Sequence, residues 1–191
     1  MNLSSCMKTA PAARSISGDA VFTSEFYKPY EAAVETAFLM LCSARTSFCE
    51  QDPTTDVRAM TFRLKSPASI RGKLEKRGLP VCEAAAATAL NDIAGLRVVL
   101  SSPENVYRFA ALVRQSPVAQ YAGMRDYIAN PKESGYRSLH LIMRIPVTVD
   151  GQSWLVPVEI QLRTAAMDLW ATIDHDLVYK PVKAALSLSA G

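Results

Sequence analysis

The chain has 191 residues, a formal net charge of +3, 49% apolar residues and 20% charged ones, values that fit one soluble globular domain. No run approaches the roughly 18 uninterrupted apolar residues of a membrane span, so a membrane protein is excluded on this reading. The mild positive charge suits a protein that handles anionic small molecules and is too weak for a duplex DNA binder.

Residues 1–21 contain Ser, Ala, Lys and Arg without an apolar core segment, which predicts a flexible tail rather than a secretory signal, and a cytoplasmic protein. The four cysteines, Cys6, Cys42, Cys49 and Cys82, form no metal-ligand spacing and no disulfide framework, and are read as reduced thiols. From Ser24 to Cys49, Phe26, Tyr30, Ala33, Val34, Ala37 and Leu41 recur at helical steps, and Pro53 ends the pattern. A strand of about Met60–Lys65 follows. Ser66-Pro67 then opens a helix, with Ser66 as N-cap and proline at the first helical position, running to Gly78. Val81–Leu90 is a short alanine-rich helix, Leu96–Leu100 a strand, and Ser102-Pro103 starts a helix through Val113. Tyr127–Gly135 reads as a turn-rich loop. Strands Arg137–Val147 and Trp154–Arg163 flank a hairpin turn at Asp150-Gly151. A last helix, Thr164–Tyr179, is expected to place Met167, Trp170, Ile173 and Leu177 on its core stripe. This order predicts an α/β fold of the α+β type, a mixed sheet with helices mainly on one face.

The strands carry polar residues at every second place. In Val158–Arg163 the apolar residues share one face and Glu159, Gln161 and Arg163 the other. Arg63 and Lys65 point the same way, and Arg97 lies opposite Leu96 and Val98. Ser69 and Lys73 share a face of the following helix, near its N-terminal half. Together they fit a polyphosphate clamp at a helix N-terminus, or simply a solvated basic surface. Asp92 and Glu159 are the acidic residues at the edge or on the polar face of inner strands, where two carboxylates can bridge Mg²⁺. The alternative pairs each with an arginine, Asp92 with Arg97 and Glu159 with Arg163, and spacing leaves both open. Tyr136, Ser138 and His140 share one strand face behind Gly135, which frees the Tyr136 ring either to stack on a base or to pack in the core. Arg125 and Lys132 flank that loop and could hold a further phosphate. Two histidines without a third nitrogen or sulfur ligand argue against zinc.

Four segments in this order, FRLKSPASIRGKLEKRG, NDIAGLRVV, RDYIANPKESGYRSLHLIMRIPV and VEIQLRTAAMDLWATIDHDLVYK, resemble the (p)ppGpp synthetase domain of the RelA/SpoT family, most closely its small single-domain members. The resemblance runs from about Phe22 to Lys180, which makes residues 22–180 the synthetase domain between tails at 1–21 and 181–191. It implies a nucleotidyltransferase-like mixed sheet of about five strands. It also implies Mg²⁺-dependent transfer of the β,γ-pyrophosphate of ATP to the 3′-hydroxyl of GDP or GTP, the chemistry of the stringent response. On the donor side it implies that Arg63 and Arg97 sandwich adenine and that Lys65, Ser69 and Lys73 hold the ATP phosphates. Asp92 and Glu159 match the Mg²⁺ ligands, and Glu159 the base. Tyr136 matches the guanine-stacking tyrosine. Lys132, His140 and Gln161, with Arg125 as a weaker correspondence, line the acceptor side. Asp168 stands where many small synthetases carry Asn near the guanine edge.

The resemblance also allows a homo-oligomer, although relatives that form tetramers carry further helices where only Pro181–Gly191 follow Lys180. Among relatives with another acceptor, some pyrophosphorylate the 3′ end of tRNA or adenosine nucleotides. The mild charge argues against nucleic acid, and the intact carboxylate and cation set argues against a catalytically silent nucleotide-binding module.

Overall fold

The structure is a computed structural model and describes residues 21–174. Chain order is α1 (Ser24–Gln51), β1 (Val57–Leu64), α2 (Pro67–Lys76), α3 (Glu83–Ala89), β2 (Ala94–Leu100), α4 (Pro103–Arg114), β3 (Gln120–Asp126), β4 (Leu139–Val149), β5 (Gln152–Thr164) and α5 (Ala165–Ile173). The strands form one mixed sheet in the order β1-β2-β5-β4-β3, in which only β2 and β5 run parallel.

Period-two patterning decides which face is covered. Leu96, Val98 and Leu100 of β2, Leu139, Leu141, Met143 and Ile145 of β4, and Val156, Val158, Ile160 and Leu162 of β5 are all buried. Against them pack α1, through Tyr30, Ala33, Val34, Ala37 and Leu41, and α4, through Val106, Phe109, Ala110 and Val113. Caps anticipated from the sequence are made: the Ser66 hydroxyl accepts from the Ser69 N–H at 3.3 Å and Thr164 accepts from Met167 at 3.3 Å. Asp150 and Gly151, both at positive φ (50° and 77°), close the β4–β5 hairpin as a two-residue turn.

Three expectations are corrected. The segment Gln120–Asp126 is a strand that period-two patterning does not mark, because β3 is an edge whose Tyr121 and Met124 remain exposed and whose register shifts between Tyr121 and Gly123. β1 begins at Val57 and ends at Leu64, so Lys65 lies just past the strand, still bonded through its N–H to the Ile93 carbonyl at 2.8 Å. In α5, Trp170 and Ile173 are exposed rather than core, because this helix lies at the end of the uncovered face and buries Ala171 instead. Leu177, Tyr179 and both expected tails lie outside the described residues. Among the described residues no helix is long and apolar enough to cross a membrane.

Candidate active site

The uncovered face of the sheet is polar, and strand register arranges its side chains in rows. Arg63 pairs with Gly95, which pairs with Glu159. In the next row Thr61 pairs with Arg97, Arg97 with Gln161, Gln161 with His140 and His140 with Arg125. Residues from strands far apart in sequence therefore stand side by side because every second position faces the same way. Thr61, Arg63, Asp92, Gly95, Arg97, Glu159 and Gln161 all line a cleft of about 190 Å³. Gly95 contributes no side chain to its floor; a methyl there would meet only the Glu159 carbonyl at 3.7 Å and Arg63 at 4.0 Å.

At one end, Asp92 Oδ2 receives Lys65 Nζ at 2.8 Å and Lys73 Nζ at 2.6 Å. Lys65 is placed by its carbonyl, which accepts from the Tyr27 hydroxyl at 2.7 Å, and Lys73 by the second turn of α2. Burial pushes the Asp92 carboxyl up, yet the two ammonium groups more than reverse this and leave it below its ordinary value. Its other oxygen, Oδ1, is buried without a hydrogen-bond partner among the described residues. Such an orphaned acceptor beside a second carboxylate is where a hard cation fits. Ser69 sits at the start of α2, hydroxyl to hydroxyl with Ser66 at 2.9 Å. Asp92 therefore pairs with lysines, and the alternative pairing with Arg97 is not found.

At the centre, Glu159 is half-buried and lines the cleft. Its Oε2 meets His140 Nδ1 at 3.3 Å and its Oε1 accepts from Gln161 Nε2 at 2.7 Å. Burial raises its carboxyl, the His140 contact and the Gln161 amide lower it, and the balance is a value below the ordinary one. Asp92 is close enough to oppose that lowering, which places both acids within one electrostatic neighbourhood. The expected alternative for Glu159, a pair with Arg163, is also not found.

Arg163 instead turns away from Glu159 and is only 3% exposed. It donates to Gln161 Oε1 at 2.7 Å, to the Tyr136 hydroxyl at 2.6 Å, to Asp168 Oδ1 at 3.1 Å and to Ser138 Oγ at 3.4 Å. Asp168 shares that oxygen with Arg97 Nη1 at 3.2 Å. Burial lowers the Arg97 guanidinium below its ordinary value, nearby Arg163 adds to that, and Asp168 opposes it. Tyr136 completes a ring of contacts: its hydroxyl lies 2.8 Å from His140 Nε2. The phenol oxygen accepts from Arg163 and meets His140 through the ring nitrogen remote from Glu159, so the imidazole bridges Tyr136 and Glu159.

Lys132 Nζ lies 4.7 Å from the centre of the Tyr136 ring and 4.9 Å from that of Tyr127, and Tyr127 stands edge-on to His140 at 5.1 Å. Arg125 is exposed on β3 beside His140. The structure thus brings the Asp92, Glu159, Arg63, Lys65, Lys73, Arg97, Gln161, His140, Tyr136 and Asp168 side chains into one contiguous face, with Ser69, Lys132 and Arg125 at its rim. Sequence reading passed over Arg163 as a site residue and weighed it only as a partner for Glu159. Its place two residues beyond Gln161 on the polar face was the available signal. Tyr127 carried none. A larger cavity of about 500 Å³ between α1, α3 and the β4–β5 hairpin is mainly apolar, and its Lys28 is already paired with Glu25 at 2.8 Å and Asp150 at 3.1 Å.

Comparison with known proteins matches residues 62–184 to the family described as "Region found in RelA / SpoT proteins". The GTP pyrophosphokinase YjbM of Bacillus subtilis (strain 168) is 38% identical over 156 residues, which cover 81% of this chain and 72% of that protein. The crystal structure of small alarmone synthetase 1 from Bacillus subtilis bound to its product pppGpp superposes with a TM-score of 0.75 at 36% identity, covering 82% of this chain and 81% of that one. The same synthetase bound to AMPCPP gives a TM-score of 0.69 at 32% identity, covering 87% and 86%.

Proposed function

The chain belongs to the RelA/SpoT family, and from that premise we propose that it is a GTP pyrophosphokinase, transferring the β,γ-pyrophosphate of ATP to the 3′-hydroxyl of GDP or GTP to make ppGpp and pppGpp. The observation that carries this reading is the pair Asp92 and Glu159 in one cleft with Arg63 and Arg97, a carboxylate and cation set that suits a nucleoside triphosphate. Cations prevail locally: Arg63, Lys65, Lys73, Arg97 and Arg163 outnumber Asp92, Glu159 and Asp168, so a polyanionic substrate completes the charge balance.

On the donor side, Arg63 and Arg97 stand two residues out of register on adjacent strands. Diagonal neighbours of this kind are about 7–8 Å apart, a gap that a flat ring stacked on both guanidinium planes fills, which is the expected seat of adenine. Lys65 and Lys73, now bound to Asp92, and Ser69 at the head of α2 are the groups that meet the phosphates. Asp92, through its unpartnered Oδ1, and Glu159 are the residues that would hold Mg²⁺, with substrate phosphates supplying further ligands. Bound between these carboxylates, Mg²⁺ would offset charge developing on the transferred group.

On the acceptor side, Tyr136 supplies the ring against which guanine stacks, Lys132 moves from that ring to the acceptor phosphates with Arg125, and Asp168 Oδ2 accepts from the guanine edge. Transfer makes a bond from the 3′-oxygen to the β-phosphorus and breaks the bond to the α–β bridging oxygen, releasing AMP. Glu159, ionised at neutral pH, takes the hydroxyl proton while His140 and Gln161 hold its carboxylate in place.

The test is incubation with γ-labelled ATP and, separately, GDP, GTP, GMP, ATP and deacylated tRNA, with products separated by charge. Label on GDP and GTP is the expected result. Label confined to tRNA or to adenine nucleotides would overturn the guanine acceptor.

A further inference from the structure

Arg163 is the best-connected buried ion outside the groups assigned to substrate. Its guanidinium is a hub between two sets of residues. One branch runs from Nη1 to Asp168 Oδ1 (3.1 Å) and from there to Arg97 (3.2 Å), on the donor side. The other runs from Nη2 to the Tyr136 hydroxyl (2.6 Å), then to His140 (2.8 Å) and Glu159 (3.3 Å), and returns through Gln161, whose amide bonds both Glu159 and Arg163 at 2.7 Å. The second branch is a closed circuit of five side chains. At its two charged ends the roles are fixed, since Arg163 only donates and the Glu159 carboxylate only accepts.

We propose that Arg163 is a positioning residue that touches no nucleotide but holds the donor-side Arg97 and the acceptor-side Tyr136 in one register, so that the 3′-hydroxyl and the β-phosphorus meet in line. Resting on the pyrophosphokinase reading, this role follows from shape as much as from charge. A planar fork reaches Asp168, Tyr136 and Gln161 at once in fixed directions, which a lysine ammonium at the end of a flexible stem does not. Burial makes the geometry durable: at 3% exposure, released partners have no water to turn to.

Arg163→Lys keeps the charge and removes the fork. It is expected to lower kcat by about 10- to 100-fold, the cost of misplacing reacting groups by around an ångström. It is also expected to weaken binding of a non-hydrolysable ATP analogue alone and of GDP alone. Tyr136→Phe, which deletes only the hydroxyl, lowers kcat in the parent protein. In the Arg163→Lys background it adds little, since the same tie is already broken. Additive losses in that cycle, or a fall in one nucleotide affinity without the other, overturn the proposal. So does lowered thermal stability with unchanged turnover of the folded protein.

A nuclear magnetic resonance experiment reads the same tie without turnover. The guanidinium signal of Arg163, assigned by its loss in Arg163→Lys, should shift in Tyr136→Phe and again when the ATP analogue alone is added. If it shifts but the parent protein labels no guanine nucleotide, the activity reading fails and the positioning role stands. A signal indifferent to both changes ends the positioning role.

Discussion

Glu159 gathers at one atom pair what the chemistry asks of a base: it is ionised, half-buried and held by two neighbours. Glu159→Gln keeps the shape and the strand but removes a negative charge and a proton acceptor. Turnover should fall by at least about 10²-fold, the scale of a general base combined with a metal ligand, while the melting temperature changes little. Near-normal turnover in that variant would remove Glu159 from the mechanism. Asp92 carries a different test, of stability against pH. Its carboxyl lies below the ordinary 3.8 because Lys65 and Lys73 outweigh burial. A carboxylate depressed on folding binds its proton more weakly in the native state than in the unfolded chain. Its stabilisation is therefore complete above the unfolded value and is lost as pH falls through the folded one. Melting temperature should be level from neutral pH down to about pH 5 and drop below about pH 4, the range in which unfolded carboxyls titrate. The drop should be shallower in Asp92→Asn. Equal slopes in the two proteins would show that this carboxylate does not govern acid unfolding.

At the scale of elements, the segment between β3 and β4 places the acceptor-side groups and depends on one glycine. Gly135 sits at φ +79°, its N–H closes a turn onto the Lys132 carbonyl at 2.8 Å, and a methyl on it would stand 3.3 Å from Trp170 Nε1. Trp170 is held there by its own bond to the Ser134 carbonyl at 3.1 Å. The loop and α5 thus lock each other, which is why Trp170 leaves the core stripe that helical spacing assigned to it. Gly135→Ala combines left-handed backbone with a tight contact. It should cost about 1–2 kcal/mol, hence a melting temperature lower by roughly 2–8 °C for a chain of this size. GDP affinity should fall with it while binding of the ATP analogue is spared, because the donor residues stand on β1, β2 and α2. Unchanged melting temperature and GDP affinity would show that the loop does not need this conformation.

Taken whole, the molecule is a sheet covered on one face by α1 and α4 and left polar on the other, so substrate binds to the folded chain and has no counterpart site in the unfolded one. Linkage then sets the size of a ligand effect. A non-hydrolysable ATP analogue with Mg²⁺ at about 100 times its Kd should add about 2.7 kcal/mol, a rise in melting temperature of roughly 5–10 °C. The rise should shrink in Arg97→Lys, which keeps the charge but loses the stacking plane, and a rise unaffected by that change would take Arg97 out of the donor site.

Much of this architecture was legible in the sequence because it rests on local rules. Alternation placed Glu159 and Gln161 on the face opposite Val158 and Ile160, hydroxyl caps marked Ser66 and Thr164, and Asp150-Gly151 fixed the hairpin. Family motifs added the roles expected of Asp92, Tyr136 and the cations. What spacing could not decide was partner choice, since that depends on which strands lie side by side. Both Asp92–Arg97 and Glu159–Arg163 are good pairs along the chain, yet the parallel register of β2 on β5 and the antiparallel one of β4 on β5 bring His140 to Glu159 and free Arg163 for Asp168 and Tyr136. The exposed edge strand β3 gave no hydrophobic signal because neither of its faces is buried. Sequence alone determined which residue types the site contains and which way each strand faces. Only the tertiary structure decided which of those charges meet, because side chains distant along the chain become neighbours through sheet order.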